Sequence, residues 1–441
     1  MNREIRIWEV IAIIVILFST AGVVSAENQT DTTVYTSKSR FVHRLGVDLR
    51  PEYIIPATSF LKGENEKMRP VRNSFSAHLK YSFQPRQDSY IDKIFRGSYQ
   101  GVGLAYYTFG EKKTLGNPVA LYIFQGSRLA RISNRLSLNY EWNFGLSAGW
   151  HPHDYDKNPY NTIIGSKVNA YINADLYFNW MLSRKFDLTT GLALTHFSNG
   201  NTSFPNAGLN SIGFKAGLIY NFNRENDFFA KKTQWNGIHE FPRHISYDLV
   251  LFGSWRRKGI AVGEDRIPSP HSYPVMGINF APMYNTGYRF RVGASLDGYY
   301  DSSINIYTTD EFTHPGMTFF KPPLKEQLAL GISARSEYVM PYFSVNIGLG
   351  VNIINHSKIL SNTQNYNPRS VKNDDSTYEE IIKAQNQGEK KLFYQIIALK
   401  INATRNSFIH IGYSLQNFDT PNFLMLGIGI RFNNKYPSLK N

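Results

Sequence analysis

The chain has 441 residues, a formal charge of +14 and no cysteine, so disulfides, thiol nucleophiles, cysteine metal sites and a lipoprotein cysteine are excluded. Aromatic residues make up 15% of it, with 28 Tyr, 30 Phe and 33 Gly, yet its mean hydropathy is negative and only the N-terminus carries a long apolar run. That combination argues against a bundle of membrane helices.

The N-terminus places Arg3 and Arg6 before an apolar run from Val10 to Phe18, then Val24-Ser25-Ala26. This is the pattern of a secretory signal peptide over residues 1–26, and the run is too short for a transmembrane helix. Beyond it, about sixteen segments alternate apolar and polar residues between turn-forming clusters, as strands do. In the first half they run near Phe41 to Ile54, Phe75 to Phe83, Tyr99 to Phe109, Val119 to Gln125, Leu136 to Trp150, Val168 to Trp180, Phe186 to Ser198 and Asn210 to Phe222. In the second half they run near Ile245 to Arg256, Tyr273 to Tyr284, Phe290 to Tyr300, Leu328 to Val339, Phe343 to Ile353, Leu392 to Asn402, Phe408 to Leu415 and Phe423 to Phe432.

The connections mostly alternate in length. Ser183 to Lys185, Asn285 to Gly287, Met340-Pro341 and Thr404 to Asn406 are tight, whereas Ser302 to Glu326 and Asn355 to Lys390 are long and polar. Short periplasmic turns opposite long outer loops mark an outer-membrane barrel, and on that count the loop after Ser198 is an outer loop. Strand faces agree: Leu136, Leu138, Tyr140, Trp142, Phe144 and Leu146 oppose Arg135, Ser137, Asn139, Glu141 and Asn143. Arg135, Glu141, Asp175 and Lys215 are expected to form an ion network inside the barrel. The last strand, Leu424 to Phe432, ends on an aromatic of the kind that outer-membrane assembly machinery reads, although a tail follows it.

The expected fold is therefore all-β, a transmembrane antiparallel barrel of about 12 to 16 strands, with two duplicated eight-strand halves as the other organisation. Equal spacing from Ser198 to Pro205-Asn206 and from Ser414 to Pro421-Asn422 supports a duplication. A single barrel is the expected closure, because two barrels in one chain are uncommon. A basic surface on an exported protein suits phosphorylated glycolipid better than nucleic acid.

One strand end carries chemistry. Phe186, Leu188, Thr190, Leu192, Leu194, His196 and Ser198 share one parity, so a hydroxyl and an imidazole lie together on the lipid-facing side. The run Leu194-Thr195-His196-Phe197-Ser198-Asn199-Gly200, followed by Pro205-Asn206-Ala207-Gly208-Leu209-Asn210-Ser211, resembles the PagL-type lipid A deacylase family. The resemblance spans His196 to Ser211 directly and, by strand order, Ser39 to Phe222.

That family is an outer-membrane eight-strand barrel that removes an ester-linked acyl chain from lipid A. The resemblance implies a Gram-negative outer-membrane location, lipopolysaccharide of the outer leaflet as partner and no cofactor. It implies Ser198 as nucleophile and His196 as general base. Asn199 and Gly200, whose amides follow the nucleophile, are the expected oxyanion donors. Where the family has a Glu opening the last strand, this chain has Asn210, which can hold the His tautomer but cannot offset imidazolium charge. The chain then divides into a signal peptide (1–26), a linker (27–38), a deacylase-like half (39–223), a connector (224–243), a second half (244–432) and a tail (433–441). In that second half Ser414 faces inward and Gly412 stands where a base belongs, so a structural role is expected there.

A noncatalytic barrel acting as pore, adhesin or scaffold is the alternative, and a pore has no reason to turn His196, Ser198 and Asn210 toward lipid. Two other clusters stand out. His151-Pro152-His153-Asp154 has ligand-like residues but reads better as a solvated loop, and Arg256-Arg257-Lys258 lies where it could attract lipid A phosphates.

Overall fold

The computed structural model describes residues 41–436, apart from 87–88, 96, 155, 225–239, 263–264, 305, 307, 309, 311–313, 315, 356–391 and 418–419. The expected signal peptide and linker lie outside the described residues, as do most of the connector, the end of the tail and the loop from 356 to 391.

The first half forms β1 (Phe41–Ile54), β2 (Asn73–Pro85), β3 (Tyr99–Thr108), β4 (Gly116–Arg131), β5 (Leu136–Trp150), β6 (Val168–Met181), β7 (Phe186–Ser198) and β8 (Leu209–Asn221). Each strand pairs with the next, and β8 returns to β1 with Gly217 opposite Asp48, so these strands close on themselves. The second half forms β9 (His244–Arg256), β10 (Gly259–Val262), β11 (Asp265–Pro268), β12 (Tyr273–Asn285), β13 (Phe290–Asp301), β14 (Leu328–Val339), β15 (Phe343–Asn355), β16 (Phe393–Asn402), β17 (Ser407–Gln416) and β18 (Thr420–Phe432). Here β9 and β12 to β18 close a second barrel, with Arg431 opposite Asp248, while β10 and β11 form a separate hairpin in the β9–β12 loop.

The barrel class stands as expected, but the single closure is corrected to two barrels of eight strands each. Alternation reports which face a side chain takes and not which strand is its neighbour, so either closure has the same sequence signature. All sixteen expected segments are strands. The β10–β11 hairpin was missed because four-residue strands are too short for a period to register.

Eight strands enclose a lumen about wide enough for side chains to fill. In the first barrel one cluster sets Arg50, Lys80 and Lys215 against Asp48, Glu141 and Asp175, while Glu52 accepts from Ser76 and Ser211 and Arg44 lies by Asp187 elsewhere in the lumen. Arg50 meets Asp175 at 2.9 Å and Asp48 at 3.1 Å, Lys80 meets Asp48 at 2.8 Å and Glu141 at 3.0 Å, and Lys215 meets Asp175 at 2.8 Å. The expected network is thus present for Glu141, Asp175 and Lys215, but Arg135 is corrected: it is exposed at the tight β4–β5 turn, and Arg50 and Lys80 join Lys215 in the network instead. The second barrel repeats the device with Arg291, Lys400 and Arg431 on Asp248 and Glu337.

Above the ions in the first barrel, Tyr107, Phe109, Trp150, Tyr171 and Phe197 pack as one buried aromatic cluster. On the outside, Leu49, Leu79, Leu104, Leu192, Leu194 and Phe214 are each about half exposed, which is the apolar belt that a bilayer would cover. The two barrels touch along β2, β5 and the β14–β15 turn, where Trp142 meets Phe343 and Phe83 meets Tyr342.

Candidate active site

The site begins with an inward residue. Phe197 is wholly buried in the aromatic cluster, its ring 5.0 Å from both Tyr107 and Trp150, and this anchors the end of β7. Strand alternation then fixes its neighbours, His196 and Ser198, on the outer face. His196 stands opposite Asn210 in the β7–β8 register, and its Nδ1 lies 2.7 Å from Asn210 Oδ1. An amide oxygen only accepts, so Nδ1 carries the proton and donates. That leaves the Nε2 lone pair free to take a proton.

Ser198 is 8% exposed, covered by the β7–β8 loop. Gly208, at the far end of that loop, has φ +71°, and a Cβ placed there would sit 3.2 Å from His196 Cε1 and 3.7 Å from Ser198 Cβ. One glycine therefore abuts both side chains, and it is a site residue that the sequence reading missed. Among the described residues Ser198 Oγ has no hydrogen-bond partner, so the Ser198–His196 contact is not made in this arrangement.

The loop is tightly cross-braced. Asn199 N–H donates to Asn206 Oδ1 at 2.9 Å, Asn206 Nδ2 donates to Asn201 Oδ1 at 3.0 Å, and Thr202 Oγ1 donates to the Asn199 carbonyl at 2.7 Å. The Asn199 amide expected to serve an oxyanion is thus already engaged by Asn206. Gly200 N–H has no acceptor among the described residues. Asn206 is the second residue missed; the signal was present in the Pro205-Asn206 pair but gave no reason to aim its side chain back at residue 199.

The remaining candidates are held elsewhere. His151 Nδ1 bonds the Lys113 carbonyl, and Asp154 Oδ1 accepts from the amides of Asp156 and Lys157, so both serve loop structure. Arg256 points into the second lumen, 2.6 Å from Asp301, and Arg257 Nε donates to the Ser269 carbonyl. These contacts spend both arginines on the fold at the β9 end. In β17, Ser414 and Gly412 are buried inward, and Ser414 Oγ accepts from Asn422.

Two family models match the chain. A model described as "Lipid A 3-O-deacylase (PagL)" matches residues 77–219, which include the whole candidate site. One described as "Acyloxyacyl hydrolase, C-terminal domain" matches residues 245–372 and 381–434. Among solved structures, Neisserial surface protein A is similar at 9% identity over 42% of this chain and 98% of its own, with a TM-score of 0.27. The outer membrane enzyme PagL is similar at 13% identity over 39% of this chain and 97% of its own, with a TM-score of 0.26. The FrpB iron transporter from Neisseria meningitidis is similar at 9% identity over 89% and 70%, with a TM-score of 0.21. No curated protein sequence matches.

Proposed function

Because this chain belongs to the lipid A 3-O-deacylase (PagL) family of the Gram-negative outer membrane, we propose that it hydrolyses an ester-linked acyl chain of lipid A with Ser198, His196 and Asn210 as its working residues. The observation that carries the reading is the 2.7 Å bond from His196 Nδ1 to Asn210, with Ser198 two residues further along the same face. A serine hydroxyl is a weak nucleophile at neutral pH and needs a base whose free nitrogen is aimed at it. The Asn210 bond sets that tautomer.

In the reaction, Ser198 Oγ attacks the ester carbonyl and its proton passes to His196 Nε2. The tetrahedral oxyanion accepts from Gly200 N–H, a donor typically worth about 3 kcal/mol. As the intermediate collapses, the sugar oxygen leaves with the proton from His196 and the acyl group stays on Ser198. Water, deprotonated by His196, then attacks the acyl ester, and as this second intermediate collapses His196 returns the proton to Ser198 Oγ and the fatty acid is released. The face on which this happens belongs to the apolar belt, where lipid A acyl chains lie when the β7–β8 loop is on the outer side. Packed lumens speak against a pore. Lipid A from cells with and without the chain, compared by mass spectrometry, tests the reading: loss of one acyl mass only when the chain is present is expected, and identical spectra would overturn it.

A further inference from the structure

The loop that follows Ser198 is held from outside its own barrel. Gly200 and Asn201 both adopt left-handed backbone conformations, at φ +65° and +63°, which glycine takes freely and asparagine more readily than other residues, and the contacts of Asn201 then fix where that turn sits. The Asn201 carbonyl accepts from Arg257 N–H at 2.9 Å, and its Nδ2 donates to the Asn422 carbonyl at 3.0 Å. Both partners belong to the second barrel. On its other side Asn201 Oδ1 receives Asn206, whose own oxygen binds the amide of Asn199. A continuous chain of hydrogen bonds therefore runs from the second barrel to the residue next to Ser198.

The second barrel is shaped for this contact. Ser414 pairs with Phe423 and Leu415 with Pro421, so Asn422 is the extra residue of a β-bulge and sits outside the pairing register. Its carbonyl turns to Asn201 while its side chain stays inside on Ser414. Arg257 follows directly on β9, and its guanidinium ties down the base of the β10–β11 hairpin. Packing continues the contact. A Cβ placed on Gly259 of β10 would lie 2.5 Å from the Phe204 ring, and one placed on Gly200 would lie 3.4 Å from Tyr413.

We infer that the outer end of the second barrel is the brace that holds the nucleophile loop in its catalytic shape, with Asn201 as the positioning residue through which it acts. The inference rests on the reading of Ser198 and Gly200 given above, and it assigns a task to a half whose described residues present no outward Ser–His pair. The Pro-Asn step that follows Ser198 in the first half folds back on the site. Its counterpart in the second half, Pro421-Asn422, grips the loop from across the seam.

Full-length protein acting on lipid A micelles tests the brace with two variants. Asn201→Gly keeps the left-handed backbone without strain and removes the bonds to Asn206 and Asn422. Gly259→Val, in the second barrel's hairpin, drives a side chain against Phe204. Each should keep the heat-modifiable barrel and lower kcat by about tenfold to a hundredfold with little change in KM, the scale expected of a misplaced catalytic group. The rate at which a fluorophosphonate labels Ser198 should fall in parallel, whereas mere destabilisation would reduce the fraction labelled and leave the rate alone. Wild-type rates in Asn201→Gly, or a loss confined to the labelled fraction, would overturn the brace while an inactive Ser198→Ala kept the esterase reading. Turnover by Ser198→Ala would overturn that reading itself. If Gly259→Val does not fold, Asn201→Gly decides.

Discussion

His196 and Asn210 face each other across β7 and β8, joined side chain to side chain at 2.7 Å. The bond orients the imidazole, but an amide does not offset the charge that His196 takes up in the transition state; in serine triads an acid-to-amide change costs on the order of ten-thousandfold. Asn210→Ala should therefore lower kcat for deacylation and still leave more activity than His196→Ala. Asn210→Glu should preserve or raise it. Steady-state rates on lipid A check the ranking, and an Asn210→Ala protein with unchanged kcat would remove Asn210 from the site.

Gly208→Ala probes the opposite wall. Its left-handed backbone costs a non-glycine residue of order 1 kcal/mol or more, and the added methyl would press on His196 Cε1 from 3.2 Å. Activity should fall while the barrel survives, because the strain lies in a loop beyond the strands. Unchanged turnover would show that the imidazole is not confined from that side.

Strand positions and faces were legible because a membrane barrel writes a strict two-residue period: Leu192, Leu194 and His196 had to share a side once Phe197 was inward. The His196–Asn210 pairing was legible only through the family resemblance, which sets a partner for the histidine at the opening of the last strand; the period alone put both on the outer face. Closure was not legible, since the bonds from β8 to β1 and from β18 to β9 leave no mark on alternation. Nor was the Asn199–Asn206 bond, which depends on the path of a loop. Arg135 misled because parity alone placed it inside, whereas its place in the turn just before β5 puts it at the exposed rim.

The first lumen makes a stability prediction. Asp175 holds Arg50 at 2.9 Å and Lys215 at 2.8 Å, all three essentially without solvent exposure. Asp175→Ala would take from Arg50 and Lys215 the carboxylate nearest to each, and stranding a buried charge typically costs about 3–5 kcal/mol. The temperature at which the folded band converts to the unfolded one on electrophoresis should drop. No change there would mean that the network is not what holds the barrel interior.

Orientation is testable without activity. Cysteines replacing Thr202 and Arg184 would be the only thiols in the chain. An impermeant maleimide on intact cells should label Thr202→Cys and spare Arg184→Cys, since the β7–β8 loop and the β6–β7 turn lie at opposite ends of the barrel. The reverse pattern would turn the site toward the periplasm.

The most direct test of the nucleophile is the lipid A of cells expressing Ser198→Ala, read by mass spectrometry beside that of cells expressing the unaltered chain. The account predicts that the variant reaches the outer membrane as a heat-modifiable barrel and leaves every acyl chain in place. Full deacylation by the Ser198→Ala protein would contradict it.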